Sequence, residues 1–167
     1  TKEPFRHRHT GTRIKWRPDL DVFTDIDISS EYYEEILKKQ AIVNKGLCFK
    51  FKNEVSKGEF EEKDFLYENG IADYVKEIEN GEGFTDIKYI ECERKGRDRE
   101  DKPEYKVKLS VAFCFSNKAS LLEYYHNSSF LEHGGSPDKA VSNAFTYTID
   151  RSLKSNNKYN KNESKIN

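Results

Sequence analysis

The pattern of apolar and polar positions predicts alternating strands and helices along most of the chain. In residues 13–17 strict alternation puts Ile14 and Trp16 on one face and Arg13, Lys15 and Arg17 on the other, a strand closed by Pro18. Residues 19–27 carry Leu20, Val22, Phe23 and Ile26 and are expected to pack down on the domain. A helix follows, capped by Ser29 with Ile28 and Tyr33 placed as a hydrophobic staple. Its inward stripe is Tyr33, Ile36, Leu37, Gln40 and Ala41, with outward pairs Glu34–Lys38 and Glu35–Lys39, and Gly46 is suited to the left-handed turn after it. Leu47, Phe49 and Phe51 alternate with polar residues, Ser56-Lys57-Gly58 offers a turn, and residues 60–67 return as an acidic antiparallel partner.

Gly70 opens a short helix with Ile71, Tyr74, Val75 and Ile78 on one stripe, stopped at Asn80-Gly81. Residues 87–94 and 105–115 read as two strong strands joined by a charged excursion that must project outward, and residues 121–126 as a further strand. The longest helix follows Gly134-Gly135, with Ser136 as its cap and Pro137 in its first position. Its stripe is Val141, Ala144, Phe145, Thr148, Ile149 and Leu153, a mostly apolar face that must cover something and is expected to cover a sheet. The pattern divides the chain into a flexible basic arm (1–12), one domain (13–154) and a flexible polar tail (155–167).

Composition narrows the classes of function. A net charge of -1 with 35% charged residues gives no global field that would attract nucleic acid. Local charge is uneven: residues 2–17 carry +5 and residues 59–79 carry -6, as solvated faces do or as an oriented nucleic-acid contact would. Cys48, Cys92 and Cys114 lack metal or redox spacing and are expected to be buried, reduced thiols of a cytoplasmic protein. No apolar run is long enough to span a bilayer. The absence of methionine and a first residue Thr1 suggest a piece of a longer protein, or removal of an initiator. His126 and His133 have no partner at ligand spacing, Glu61-Glu62 sit where both carboxylates stay hydrated, and no GxxxxGK loop occurs. The residues therefore indicate no catalytic group, no metal site and no cofactor site in this chain.

The order of GTRIKWRPDLDVF, a helix ending IVNKG, LCFKF, FLYENGIADYVKEIEN, VKLSVAFCFSN and EHGGSPDKAVSNAFTYTIDRSL resembles the transducer domain of the B subunit of DNA gyrase and topoisomerase IV. Ser136 and Pro137 stand where that family usually has threonine and histidine, which leaves a diverged paralogue open. The resemblance implies an α+β fold, a mixed β-sheet backed by helices with a βαβ crossover, like a ribosomal protein domain. It implies a noncatalytic relay between a preceding ATPase domain, which holds ATP and Mg, and a following DNA-cleavage domain, with a gyrase A-type subunit and DNA as further partners. On that reading Gly134, Gly135 and Ser136 form a domain-contact turn, and Arg13, Lys15 and Arg17 face DNA. A standalone nucleic-acid-binding module of the same fold is the alternative.

Overall fold

The computed structural model describes residues 10–160, 162 and 166. The expected basic arm therefore lies almost wholly outside the described residues, as do parts of the expected tail. Among the described residues there are three helices and three antiparallel hairpins, in the order α1 (Ser30–Val43), β1 (Phe49–Ser56), β2 (Glu59–Phe65), α2 (Ile71–Glu79), β3 (Lys88–Gly96), β4 (Tyr105–Phe113), β5 (Tyr125–His126), β6 (Ser129–Phe130) and α3 (Gly135–Ser155). The α+β class is as expected.

The pairing differs in detail from the expected mixed sheet with a βαβ crossover. Strands pair only as β1–β2, β3–β4 and β5–β6, each antiparallel. Two-residue turns close β1–β2 and β5–β6, the charged excursion of residues 97–104 joins β3 to β4, and strand β2 is lined by Glu59, Glu61, Glu62, Lys63 and Asp64, all exposed. Such a charged edge does not invite another strand.

Helix α1 starts where the sequence predicts. The Ser29 hydroxyl accepts from the Glu31 amide at 3.3 Å, and Gly46 takes a φ of +76° beyond the helix end. Ala41 and Ile42 are the fully buried apolar residues among those described, at 0% and 1% exposure. Helix α1 packs on the β1–β2 hairpin and on α2. At that seam Gly70, with φ +61°, admits the Ile42 carbonyl, which would stand 3.1 Å from an added Cβ. The Glu35–Lys39 pair forms at 2.8 Å. Glu34 instead reaches Lys63 of β2 at 2.6 Å, and Lys38 reaches Glu77 of α2 at 2.7 Å. Partners on neighbouring elements have replaced the local one, tying α1 to both sides.

Several expectations fail for want of something to pack against. Residues 13–17 form no strand, and Arg13, Lys15 and Arg17 do not share a strand face. Ile14 is 80% exposed, although the Trp16 ring still meets Tyr33 of α1 at 5.3 Å, and Tyr33 stacks on Phe51 at 5.9 Å. Leu20, Val22, Phe23 and Ile26 lie exposed rather than packed down. The strand expected over residues 121–126 shrinks to Tyr125–His126, since Leu121 and Leu122 find no cover. The thiols are free but not buried: Cys48 is exposed and the other two are half-buried.

Candidate domain-contact turn

The turn between β6 and α3 is built from the hairpin upward. Asn127 and Ser128 both take positive φ, 47° and 68°, the two-residue turn whose twist suits an antiparallel pair. The Leu131 amide then donates to the Tyr124 carbonyl at 2.8 Å, extending the hairpin toward the glycines. At Gly134 the backbone (φ 65°, ψ -54°) closes a γ-turn, in which the Gly135 amide donates to the His133 carbonyl at 2.6 Å. This positive-φ γ-turn is rare and strained, and a side chain makes it worse. A Cβ at Gly134 would meet the Asp138 Cβ at 2.7 Å and the Tyr124 ring at 3.4 Å. Gly134 is buried, whereas Gly135 and Ser136 are exposed, and a Cβ at Gly135 would meet only the Pro137 ring, at 4.0 Å.

Helix α3 thus begins at Gly135, capped by Gly134 without any side-chain bond. The expected Ser136 cap and first-position Pro137 are displaced, because the γ-turn carries the chain into the helix two residues early. Pro137 still falls in the first turn, where its missing amide costs nothing. Along α3, Val141, Phe145 and Leu153 are half-buried, while Ala144, Thr148 and Ile149 are exposed. The apolar face therefore covers little; its best contact is Phe145, edge-on to Phe113 at 5.2 Å and Phe115 at 6.1 Å. Past the helix, the Tyr159 hydroxyl returns to the Asp150 carboxylate at 2.5 Å.

Around the turn sits a tyrosine and carboxylate network that sequence reasoning missed. The Tyr67 hydroxyl donates to Glu77 at 2.6 Å, and the Tyr125 hydroxyl donates to Glu123 at 2.7 Å. The Tyr74 hydroxyl donates to the other Glu123 oxygen at 3.3 Å. Burial, and then the Glu123 carboxylate, push Tyr74 up to about 12. Tyr125 is pushed higher still, for the same reasons. Burial would raise Glu77, but the hydrogen bonds from Lys38 and Tyr67 outweigh it and hold the carboxyl below its ordinary value. The Tyr-Tyr pair 124–125 beside an acid was the only available signal, and it does not say which helix each ring meets.

Arg13, Lys15 and Arg17 are all exposed, on an extended segment away from any ladder. Arg17 borders a surface depression of about 370 Å³ with Pro18, Asp19, Leu20 and Ile26. Among the described residues no group of three or more His, Cys, Asp or Glu side chains could hold a metal ion, and no helix is long and apolar enough to cross a membrane.

The α+β chain thus combines a tightly cornered glycine turn with exposed apolar side chains. The DNA gyrase B family model matches residues 70–167, from the start of α2 through the glycine turn and α3, and the chain belongs to that family. It is a region like that of the B-type component of type IIA topoisomerases. The DNA gyrase B protein of Metamycoplasma arthritidis is 26% identical over 162 residues, covering 94% of this chain and 24% of that protein. The gyrase B protein of Thermotoga maritima is 22% identical over 155 residues, covering 92% and 24%, and that of Staphylococcus aureus 26% over 144, covering 84% and 21%. The chain spans about a quarter of the length of the curated relatives it matches.

Proposed function

We propose that this chain is the transducer domain of a gyrase B-like protein. It relays ATP binding and hydrolysis in a preceding ATPase domain, which holds ATP and Mg, to a following DNA-cleavage domain. The parent works in the cytoplasm with a gyrase A-type subunit and DNA. The observation that carries this reading is a family member whose apolar faces are left open. Ile14, Val22 and Phe23 before α1, Leu109 on the β3–β4 ribbon and Ile149 on α3 are all exposed. Patches of this kind mark surfaces made to be covered. A relay needs a stiff body and contacts with two stable arrangements, and an α1–α2 core with open flanks suits that division.

In this reading Gly134, Gly135 and Ser136 meet a neighbouring domain, and Arg13, Lys15 and Arg17 face DNA. Two measurements on the longer protein test it. A non-hydrolysable ATP analogue should change amide exchange in α3; no change anywhere in this chain overturns the relay. Reversing the charge of Arg13, Lys15 and Arg17 together should lower DNA-stimulated ATP turnover several-fold and spare the DNA-independent rate. Undiminished stimulation would remove the DNA-facing role and leave the relay standing.

A further inference from the structure

Residues 123–125 face two ways. Successive side chains of an extended segment point to opposite sides. Glu123 and Tyr125 share one side, where the Glu123 carboxylate accepts from Tyr74 of α2 at 3.3 Å and from Tyr125 at 2.7 Å. Tyr124 takes the other side, against Gly134 and Asp138 at the start of α3. The far end of the same hairpin is held by α1. The Gln40 side chain donates to the Ser128 carbonyl at 2.8 Å, the Ser128 hydroxyl reaches Asn44 at 3.4 Å, and the Lys39 ammonium lies 4.2 Å from the Phe130 ring centre. Helices α1 and α2 are thereby both connected to the turn that launches α3.

One group in this path is unsatisfied. The Tyr124 hydroxyl is buried without a hydrogen bond of good geometry, although the Asp138 carboxylate lies close enough to add to the effect of burial in raising its pKa. A buried hydroxyl without a partner is unfavourable. A small rotation of the first turn of α3 would bring the Asp138 carboxylate into bonding range. The γ-turn at Gly134 is where the backbone has the freedom to make that rotation.

We propose that residues 123–125 are a positioning strut that sets the orientation of α3 from the place of α1 and α2, with Gly134 as its pivot. Glu123 anchors the strut to α2 through the Tyr74 hydroxyl, and Tyr125 holds the Glu123 carboxylate in place. Tyr124 reads the position of α3, being unbonded in one orientation and bonded to Asp138 in the other. The strut's use in passing on nucleotide state rests on the function proposed above, whereas the mechanical link between the helices does not.

Amide exchange in the full chain, without nucleotide, tests the link. Tyr125→Phe removes one hydrogen bond to a charged acceptor, and exchange of amides 139–142 in α3 should rise about tenfold while amides 38–42 of α1 keep their rate. Wild-type exchange at 139–142 overturns the strut, and so does an equal rise in α1, which would mean general loosening. Tyr74→Phe removes the bond that joins α2 to the strut and should raise exchange of the same amides at least as far, so the test survives if the first variant folds poorly. Tyr124→Phe deletes the unpartnered hydroxyl and should slow exchange at 139–142; a faster rate overturns the sensing role. In the longer protein, an ATP analogue that alters α3 in the wild type should fail to do so in Tyr125→Phe. An equal response in both would sink the strut. A silent wild type would sink the relay alone.

Discussion

The two halves of the molecule are held together in different ways. In the half made of α1, β1–β2 and α2, Ala41 and Ile42 are shut from solvent, Gly70 lets two helix ends touch, and Lys38–Glu77 and Lys63–Glu34 cross from one element to the next. In the half made of the β3–β4 ribbon and α3, alternation puts Ile90, Cys92, Val107, Leu109 and Val111 on one face, as the register Ile90↔Val111 and Cys92↔Leu109 shows. That face is open: Ile90 is 53% and Leu109 50% exposed, and α3 has no fully buried residue. The first half is filled by its own side chains. The second has the shape of a core layer only partly filled, so its stability must come from its ladder, from the contact of β4 with α2, from Phe145 against Phe113 and Phe115, and from whatever lies against it.

The largest effect that divides the halves is a truncation in each. Ile42→Ala should lower unfolding free energy by about 2–5 kcal/mol, because it empties a site that neighbours cannot collapse into. Leu109→Ala removes a side chain already half in water and should cost about 1 kcal/mol or less. Denaturant midpoints measured side by side decide the matter. Equal losses would mean that the ribbon face is packed in solution and that the contrast is false.

Next in size are the glycines of the turn. Gly134→Ala places a methyl group in a strained γ-turn and against Asp138, and should cost about 2–3 kcal/mol. Gly135→Ala makes only an ordinary contact with Pro137, at 4.0 Å, and bears the penalty of its φ of +66°, about 1 kcal/mol. Thermal unfolding of the two variants tests this. A Gly134→Ala protein as stable as Gly135→Ala would show that the corner is not as tight as its geometry says.

These sites also show what was legible beforehand. Periodicity placed α1, the β1–β2 hairpin, α2 and the two long strands, because local apolar spacing and turn residues determine each of them. It also marked the glycine pair and the need for something against the last helix. It misplaced the helix start, since Ser136 and Pro137 suit a capped first position and a γ-turn leaves no trace in composition. It gave residues 13–17 a strand by alternation alone, but a strand needs a ladder partner, and none is supplied among the described residues. Glu34 shows the same limit on a smaller scale: spacing offered Lys38, and the fold brought Lys63 closer. The tyrosine network around Glu123 joins residues 49 apart, beyond the reach of any pattern along the chain.

A smaller effect sharpens the contrast through pH. Glu77 joins α2 to α1 through Lys38 and accepts from Tyr67, and its pKa in the folded chain lies below the ordinary 4.5. A depressed carboxyl stabilises the fold fully above its unfolded pKa and loses that contribution as pH falls through the folded value. The stability gap between wild type and Glu77→Gln should therefore be flat near neutrality and shrink as pH drops below about 4.5. Urea unfolding at a series of pH values measures it. A gap that persists unchanged to pH 3 would show that the carboxylate charge contributes nothing to this seam.

The smallest expected effect separates ion pairs by what they connect. Lys50–Asp64, at 2.7 Å, joins residues that the β1–β2 ladder already sets opposite each other, and both side chains are largely in water. Holding two flexible chains together in solvent offsets most of what their attraction gains. A double-mutant cycle on this pair should give a coupling near zero, lost entirely in high salt. Lys63–Glu34 differs, since Glu34 is only 19% exposed and the bond spans from β2 to α1. Its coupling should exceed that of Lys50–Asp64 and survive salt better, because a partly buried charge is less screened. If the two cycles agree, the cross-element pairs are ornaments of an already packed half, and its cohesion rests on Ala41, Ile42 and the Gly70 seam alone.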